Sequence, residues 1–185
     1  MRRRDNEQDN SIRFCYGTTQ KYAEELSARS GIDVKSYKEI KNINDYQTII
    51  YLGGLYAGGV EGMKRTLKPL TDIAGRNIII ATVGLADPND QKNVETIRNK
   101  MKSQISPEIY AKAHIFHLRG GIDYSALSLV HKTMMKMVYN KAVRIPEEEM
   151  TAEIRAMIET YNTCVDFVDF KSLEPIVECL EEKCK

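Results

Sequence analysis

The chain has no excess of charge of either sign. Its 185 residues include 27 Lys+Arg and 26 Asp+Glu, which leaves a formal net charge of +1 at pH 7. A protein that attracts a polyanion through its overall field needs a clear basic excess, clustered on one face or in one segment. The balance therefore argues against nucleic acid as a partner.

Long hydrophobic runs are also absent. The longest, "TIIYLGGLYAGG" and "NIIIATVGLA", are far shorter than the roughly 20 residues that span a bilayer. The arginine-rich start lacks the apolar segment of a signal peptide. We therefore expect a cytoplasmic protein.

The sequence has few residues that suit a metal site. Its four cysteines form no CxxC pair and no cluster with histidine at ligand spacing, so we interpret them as reduced thiols. His114 and His117 share a predicted strand at spacing i, i+3, which places them on opposite faces. No acid–base pair or activated nucleophile stands out, and we predict neither a metal site nor a catalytic residue.

What is present is a regular alternation of helix and strand patterns. The run "TIIYL" predicts a strand buried on both faces, "NIIIATV" and "AHIFHL" predict two more strands, and "DVKSY" is a further short strand candidate. Apolar residues also recur at helical spacing along the chain. In the first predicted helix, Tyr22 and Leu26 lie on the same face. The alternation predicts an α/β fold in which helices cover both faces of a parallel sheet.

The chain after Pro146 is too short for a separate domain, and we expect it to pack on the core. It contains "PEEEMTAEIRAMIETY", which predicts an amphipathic helix, and "EPIVECLEEK", which predicts a last short one. The segment between them, "CVDFVDF", is compatible with a loop or a strand.

Three loops follow the predicted strands, at the edge where doubly wound sheets bind ligands. In "CYGTTQ", Gly17 permits a tight turn, and the hydroxyls of Thr18 and Thr19 join the N–H groups of a helix start, which suits a phosphate. An ordinary helix cap is the alternative. The loop "GGLYAGG" places Tyr56 where it would stack on a flat ring, and "TVGLADP" offers backbone groups to a ring edge.

Four motifs together resemble the flavodoxin-domain family, in particular its group similar to menaquinone-dependent protoporphyrinogen IX dehydrogenase. They are "YGTTQKYAEEL", "IIYLGGLYAGGVEGMKRTL", "ATVGLADP" and "HLRGGIDYSALSLVHKTMMKM". The resemblance runs from Tyr16 to the C-terminus. It implies a flavodoxin-like doubly wound parallel sheet of order 2-1-3-4-5, with flavin mononucleotide (FMN) bound between strands 1 and 3. Residues 11–185 would form this single domain, after a polar segment 1–10 that we expect to be disordered.

The resemblance also implies the residues that bind the cofactor. Those around the phosphate would be Tyr16, Gly17, Thr18, Thr19 and Gln20. Those flanking the isoalloxazine ring would be Gly54, Leu55, Tyr56, Ala57 and Gly58, with Val83, Gly84 and Leu85 at its pyrimidine edge. Near the flavin or a substrate would be Arg119, Gly120, Gly121 and Tyr124.

The first strand of this fold is degenerate in the sequence. Where the family has an apolar run, this chain has "EQDNSIR", and Phe14 replaces an expected hydroxyl. Carboxylates and amides in a central strand would cost several kcal/mol each. Either the natural protein differs at this end, or the sheet is built around a short "SIRF" strand.

The sequence thus predicts an FMN-binding redox protein, either an electron carrier or an oxidoreductase that oxidises protoporphyrinogen IX with a quinone acceptor. Its partners would be a redox protein or a quinone, with a porphyrinogen as candidate substrate. The methionines and lysines of "HKTMMKMVYNK" also suit a peripheral membrane contact. The alternative is a flavodoxin-like scaffold that has lost FMN and acts through protein contacts.

Overall fold

The computed structural model describes residues 17–56 and 59–183. The polar segment 1–10, the "SIRF" strand and three of the predicted site residues (Tyr16, Ala57 and Gly58) lie outside these ranges. The predictions made for them therefore stay predictions.

Three parallel strands form the sheet's core, and a two-residue strand pairs antiparallel with the end of the first of them. A separate two-stranded antiparallel ribbon lies beyond it. The strands are β1 (Thr48–Tyr56), β2 (Gly59–Val60), β3 (Asn77–Gly84), β4 (His114–Arg119), β5 (Gly121–Asp123) and β6 (Cys164–Asp166). The sheet order is β2-β1-β3-β4, and β5 pairs with β6.

Seven α-helices accompany these strands in the described part of the chain, together with three short 3-10 turns. The helices are α1 (Thr18–Ser30), α2 (Met63–Leu67), α3 (Gln91–Lys102), α4 (Pro107–Lys112), α5 (Leu129–Ala142), α6 (Ala152–Glu159) and α7 (Glu174–Lys183). The turns are Ile43–Asp45, Glu147–Glu149 and Phe170–Leu173. None of the described helices is both long and apolar enough to cross a membrane.

The middle strand β3 divides the core into two layers. Ile78 and Ile80 pack on one face, with residues of α2, α3 and α4. Ile79 and Ala81 point to the opposite face, where they meet Tyr22 of α1 and residues of α7. Alternate side chains of a strand point to opposite faces, so a continuous apolar run fills both layers. The predicted α/β fold is therefore confirmed.

The three predicted strands "TIIYL", "NIIIATV" and "AHIFHL" are β1, β3 and β4, paired in the order expected for strands 3, 4 and 5. The prediction for "DVKSY" was wrong, because residues 31–36 have no strand pairing and 37–39 form a turn. Val34 is 49% exposed. Val34 stands between two charged residues, and only Tyr37 of the segment packs against the core, so the apolar pattern is too weak for a strand.

The tail packs back on the sheet, as predicted. The acidic stretch after Pro146 is divided between a 3-10 turn and the shorter helix α6, and part of "CVDFVDF" forms β6. Leu173 and Ile176 are fully buried in the layer that also contains Tyr22. Residues far apart in sequence thus share one core.

We predict that Ile176→Ala lowers the free energy of unfolding by about 2–5 kcal/mol, because it leaves a cavity between α7 and the sheet. Val34→Ala is the control and should change it by less than about 0.5 kcal/mol, since that side chain is half exposed. Urea unfolding followed by circular dichroism measures both. A second, separate transition for the tail would contradict the single domain.

Candidate functional site

The carboxyl ends of β3 and β4 meet the start of α1. A Cβ atom built on Gly120, directly after β4, would lie 2.9 Å from Thr18 Oγ1 and 2.7 Å from Val83 Cγ1. Gly120 N also donates to the carbonyl of Gly84 at 2.7 Å. The structure therefore brings together residues of three predicted site segments, and a side chain at Gly120 would push them apart.

The start of α1 has side-chain hydroxyls without hydrogen-bond partners among the described residues. Gly17 caps the helix at φ 80°, in the left-handed region, and no side chain caps it. The first backbone helix bond runs from Lys21 N to Gly17 O at 2.7 Å, so the N–H groups of residues 18–20 have no acceptor within the helix. The Oγ1 atoms of Thr18 and Thr19 are buried without a hydrogen-bond partner in the described part of the chain.

These groups together suit an anion. Two hydroxyls and the N–H groups of a helix start point to a region of favourable helix dipole, as in phosphate sites. The side chain of Gln20 contributes differently from the prediction. Its Nε2 donates to Glu24 Oε1 at 2.6 Å on the exposed side of the helix, so only its backbone N–H is directed along the helix axis.

The end of β1 lies beside the end of β3. A Cβ atom on Gly84 would come within 2.7 Å of Leu55 Cδ1. Gly54 accepts a backbone hydrogen bond from Glu61 at 3.0 Å, and the hydroxyl of Tyr56 contacts Met134 Sδ of α5 at 3.3 Å. Leu55 and Tyr56 are half-buried, and α5 lies against the predicted ring-flanking residues.

In the loop after β3, backbone groups make the contacts at the strand ends, because the side chains of Val83 and Leu85 are buried. Val83 is fully buried in the core, and Leu85 packs with Ile122 in a third apolar cluster. Leu85 N donates to Glu153 Oε1 at 2.9 Å, and Ala86 N donates to Glu153 Oε2 at 3.1 Å. One of the backbone donors predicted to meet a ring edge, Leu85 N, is therefore bonded to a carboxylate of α6, together with the neighbouring Ala86 N.

Sequence reasoning missed both Glu153 and Ala86. The pattern around Glu153 predicts an amphipathic helix and gives no sign of its partner, which lies 68 residues earlier in the chain. Contacts between a side chain and a distant backbone leave no periodic signal.

Arg119 braces the same loop. Its Nε donates to the carbonyl of Leu85 at 3.1 Å, and its guanidinium lies 3.9 Å from the centre of the Phe167 ring. Gly121 has a structural role, because a Cβ atom there would lie 2.3 Å from the Val165 carbonyl oxygen across the β5–β6 ribbon. Tyr124 is buried, and its hydroxyl has no partner among the described residues.

A narrow pocket with no room for a water molecule lies under Glu153, between β3, β4 and α3. His117 lines it, with Nδ1 2.8 Å from Thr82 Oγ1 and Nε2 accepting from Arg98 Nε at 3.4 Å. Burial, and secondly the Arg98 guanidinium, lowers the pKa of His117 to about 4. The imidazole is therefore neutral at pH 7.

A wider concavity of about 460 Å³ lies away from this edge, beside α2. Its charged lining is Lys64, Arg65 and Lys68, all exposed. Solvated lysines and an arginine make no preorganised site, so we place the candidate site at the strand ends. In the ranges that the structure covers, no group of three or more His, Cys, Asp or Glu is arranged to hold a metal ion.

Helix α5 has apolar residues both in the core and on the surface. Met135 is buried, whereas Met137 is 56% exposed. Leu129 and Val130 are 83% and 76% exposed, and Lys132 lies beside them in the exposed first turns. The peripheral membrane contact expected for this helix stays a prediction.

The parallel sheet and the covering helices define a doubly wound α/β domain, a class of fold whose ligands bind at the carboxyl edge of the sheet. The flavodoxin domain family matches residues 15–147, and the chain belongs to this family. Comparisons with curated proteins and with solved structures found no match. Glu153 and the rest of α6 lie beyond the matched range.

Flavodoxin domains typically bind FMN, and the residues present fit its phosphate end. The hydroxyls of Thr18 and Thr19, which have no hydrogen-bond partner among the described residues, supply the donors, and Gly120 has no side chain that would displace Thr18. At the ring edge the backbone donors exist, but Glu153 holds them. The two ends of the site therefore differ, because only the ring-edge donors already have a hydrogen-bond acceptor within the protein.

We predict that His117 makes the protein less stable in mild acid. Its pKa is about 4 when folded and near 6.5 when unfolded, so the unfolded chain binds more protons between these values. Stability should therefore rise with pH across this window and level off above it. His117→Gln should remove this part of the slope.

The control is His131→Gln, on the exposed first turn of α5, which should keep the slope. Urea unfolding free energies at several pH values between about 4.5 and 7.5 give the comparison. An equal slope in wild type and His117→Gln would contradict the assignment.

Proposed function

We propose that the protein is an FMN-binding redox protein. The observation that carries the proposal is the start of α1, at the edge where the family binds its cofactor. Among the described residues, two buried threonine hydroxyls there have no hydrogen-bond partner, and three backbone N–H groups have no acceptor within the helix. Bound FMN supplies hydride and single-electron transfer. The chain supplies binding, orientation and control of access.

Each part of the site has a separate task in this proposal. Gly17 turns the chain so that the N–H groups of α1 face the phosphate, and Thr18 and Thr19 donate their hydroxyl protons to its oxygens. Tyr56 stands at the ring's flank, with its hydroxyl held by Met134. The backbone of residues 83–85 faces the ring's polar edge.

The alternative function, a scaffold that acts through protein contacts without FMN, is favoured by one observation. Glu153 satisfies the backbone donors of Leu85 and Ala86 without any ligand. A flavin-free protein would be stable with this loop closed. Retention of flavin by the purified protein separates the two functions.

The first experiment is an absorption spectrum after incubation with excess FMN and desalting. We expect about one flavin per chain, and Thr18→Val should weaken FMN binding about tenfold, because it removes a hydrogen bond to a charged group. Riboflavin has no phosphate, so its affinity should be the same for wild type and variant. Calorimetric titration with each ligand measures this.

The control is Thr96→Val, which removes an exposed hydroxyl on α3 that bonds only its own helix. It should leave both affinities unchanged. A folded protein that retains no FMN would refute the proposal, and an equal loss of FMN and riboflavin affinity in Thr18→Val would refute the phosphate role of that hydroxyl.

Within this function we propose an oxidoreductase that acts on protoporphyrinogen IX with a quinone acceptor. Its support is the resemblance of segment 117–137 to the porphyrinogen-oxidising group, together with the place of this segment in the fold. Met134 of α5 contacts Tyr56, so the segment lies against the ring's proposed flank. A large substrate held there would be close to the cofactor.

The test is anaerobic addition of protoporphyrinogen IX to the FMN-loaded protein. We expect the flavin absorption to bleach and a quinone to restore it, because the substrate would reach the cofactor beside α5. Free FMN at the same concentration is the control. A loaded protein that is reduced only by a redox partner protein would be an electron carrier instead.

A further inference from the structure

Glu153 places a carboxylate in the ring-edge part of the site. It lies on α6, and its two oxygens accept one hydrogen bond each, from Leu85 N at 2.9 Å and Ala86 N at 3.1 Å. Leu85 and Ala86 are both buried, so water does not replace this acceptor freely. Two successive backbone N–H groups that share one carboxylate form a receptor for a polar, flat group.

Gly84 makes room for this group. A Cβ atom at Gly84 would lie 3.0 Å and 3.2 Å from the two Glu153 oxygens and 2.7 Å from Leu55 Cδ1. Any other residue would force Glu153 or Leu55 to move. The Glu153 carboxylate therefore fills the narrow space in front of the loop after β3, and it fits there only because Gly84 has no side chain.

A ring carbonyl and the Glu153 carboxylate need the same donors. Each backbone N–H carries a single proton, and the loop after β3 is the one proposed to meet the ring's pyrimidine edge. We infer that Glu153 is an internal competitor for the flavin ring, and that α6 moves away from Leu85 and Ala86 when the ring binds. This inference rests on the proposed function.

Helix α6 is suited to such a movement. It has eight residues, and none of them is fully buried. Ala156 and Met157 only border the apolar cluster of Leu85 and Ile122. The ion pair between Arg155 and Glu147 is at the surface, where such pairs contribute little. Weakly packed elements open at low cost, unlike the core strands.

The inference predicts effects of opposite sign for Glu153→Ala. Without the carboxylate, the flavin-free protein leaves two buried N–H groups unpaired, so its melting temperature should fall by about 3–6 °C. FMN should bind about tenfold more tightly, because the competitor is gone. Fluorescence quenching of FMN gives the dissociation constant, and differential scanning fluorimetry without flavin gives the melting temperature.

Two further variants sharpen the comparison. Glu153→Gln keeps one acceptor oxygen but turns an amide N–H₂ towards the other donor, so both effects should be smaller. Glu159→Ala removes an exposed carboxylate from the same helix and should change neither measurement. In the wild type, added FMN should speed amide hydrogen exchange in α6 while it slows exchange at residues 18–20.

The outcomes separate this inference from the function on which it rests. Tighter FMN binding with a lower flavin-free melting temperature supports it. Unchanged or weaker FMN binding by Glu153→Ala, with the wild type still binding FMN, overturns it and leaves the proposed function intact. If neither protein binds FMN, the proposed function fails and the inference fails with it.

Discussion

The rest of the structure depends on β3 being a strand that is buried on both faces. Ile78, Ile79, Ile80 and Ala81 have no exposed surface, so each face of the sheet must be covered by helices. Its parallel pairing with β1 and β4 brings three carboxyl ends to one edge. The site follows from that alignment, because loops after parallel strands meet where no helix covers the edge.

The sheet could be predicted because its signal is local. Exposing four consecutive apolar residues of β3 to water would cost several kcal/mol, so they must be buried whatever their neighbours are. The failure at "DVKSY" shows the limit of that reasoning. Its residues favour an extended chain only weakly, and a strand also needs a partner and a face to bury. The division of the acidic tail into a turn and a short helix was equally outside what periodicity decides.

The phosphate end of the site is predicted from local features, because glycine and threonine before a helix act through their own backbone and hydroxyls, and it stays a prediction. The ring edge could not be predicted as fully. Leu85 was expected there, but its donor is bonded to Glu153, a residue 68 positions later. Arg119 was expected near a ligand, and its Nε instead supports the loop through the Leu85 carbonyl. Such contacts depend on how the tail folds over the strand ends, which no short motif encodes.

The difference between the two ends of the site implies an order of events. In the proposed function, the phosphate would meet threonine hydroxyls at α1 that have no partner among the described residues, whereas the ring would meet backbone donors that already bond the Glu153 carboxylate. Binding of the phosphate would fix the ring beside the loop and raise its local concentration, so that it competes with Glu153 within one molecule. A ligand without phosphate would face the same carboxylate from dilute solution. In the proposed function, the chain would then select its ligand at α1 and admit the ring only afterwards, through movement of α6, a helix with no fully buried residue.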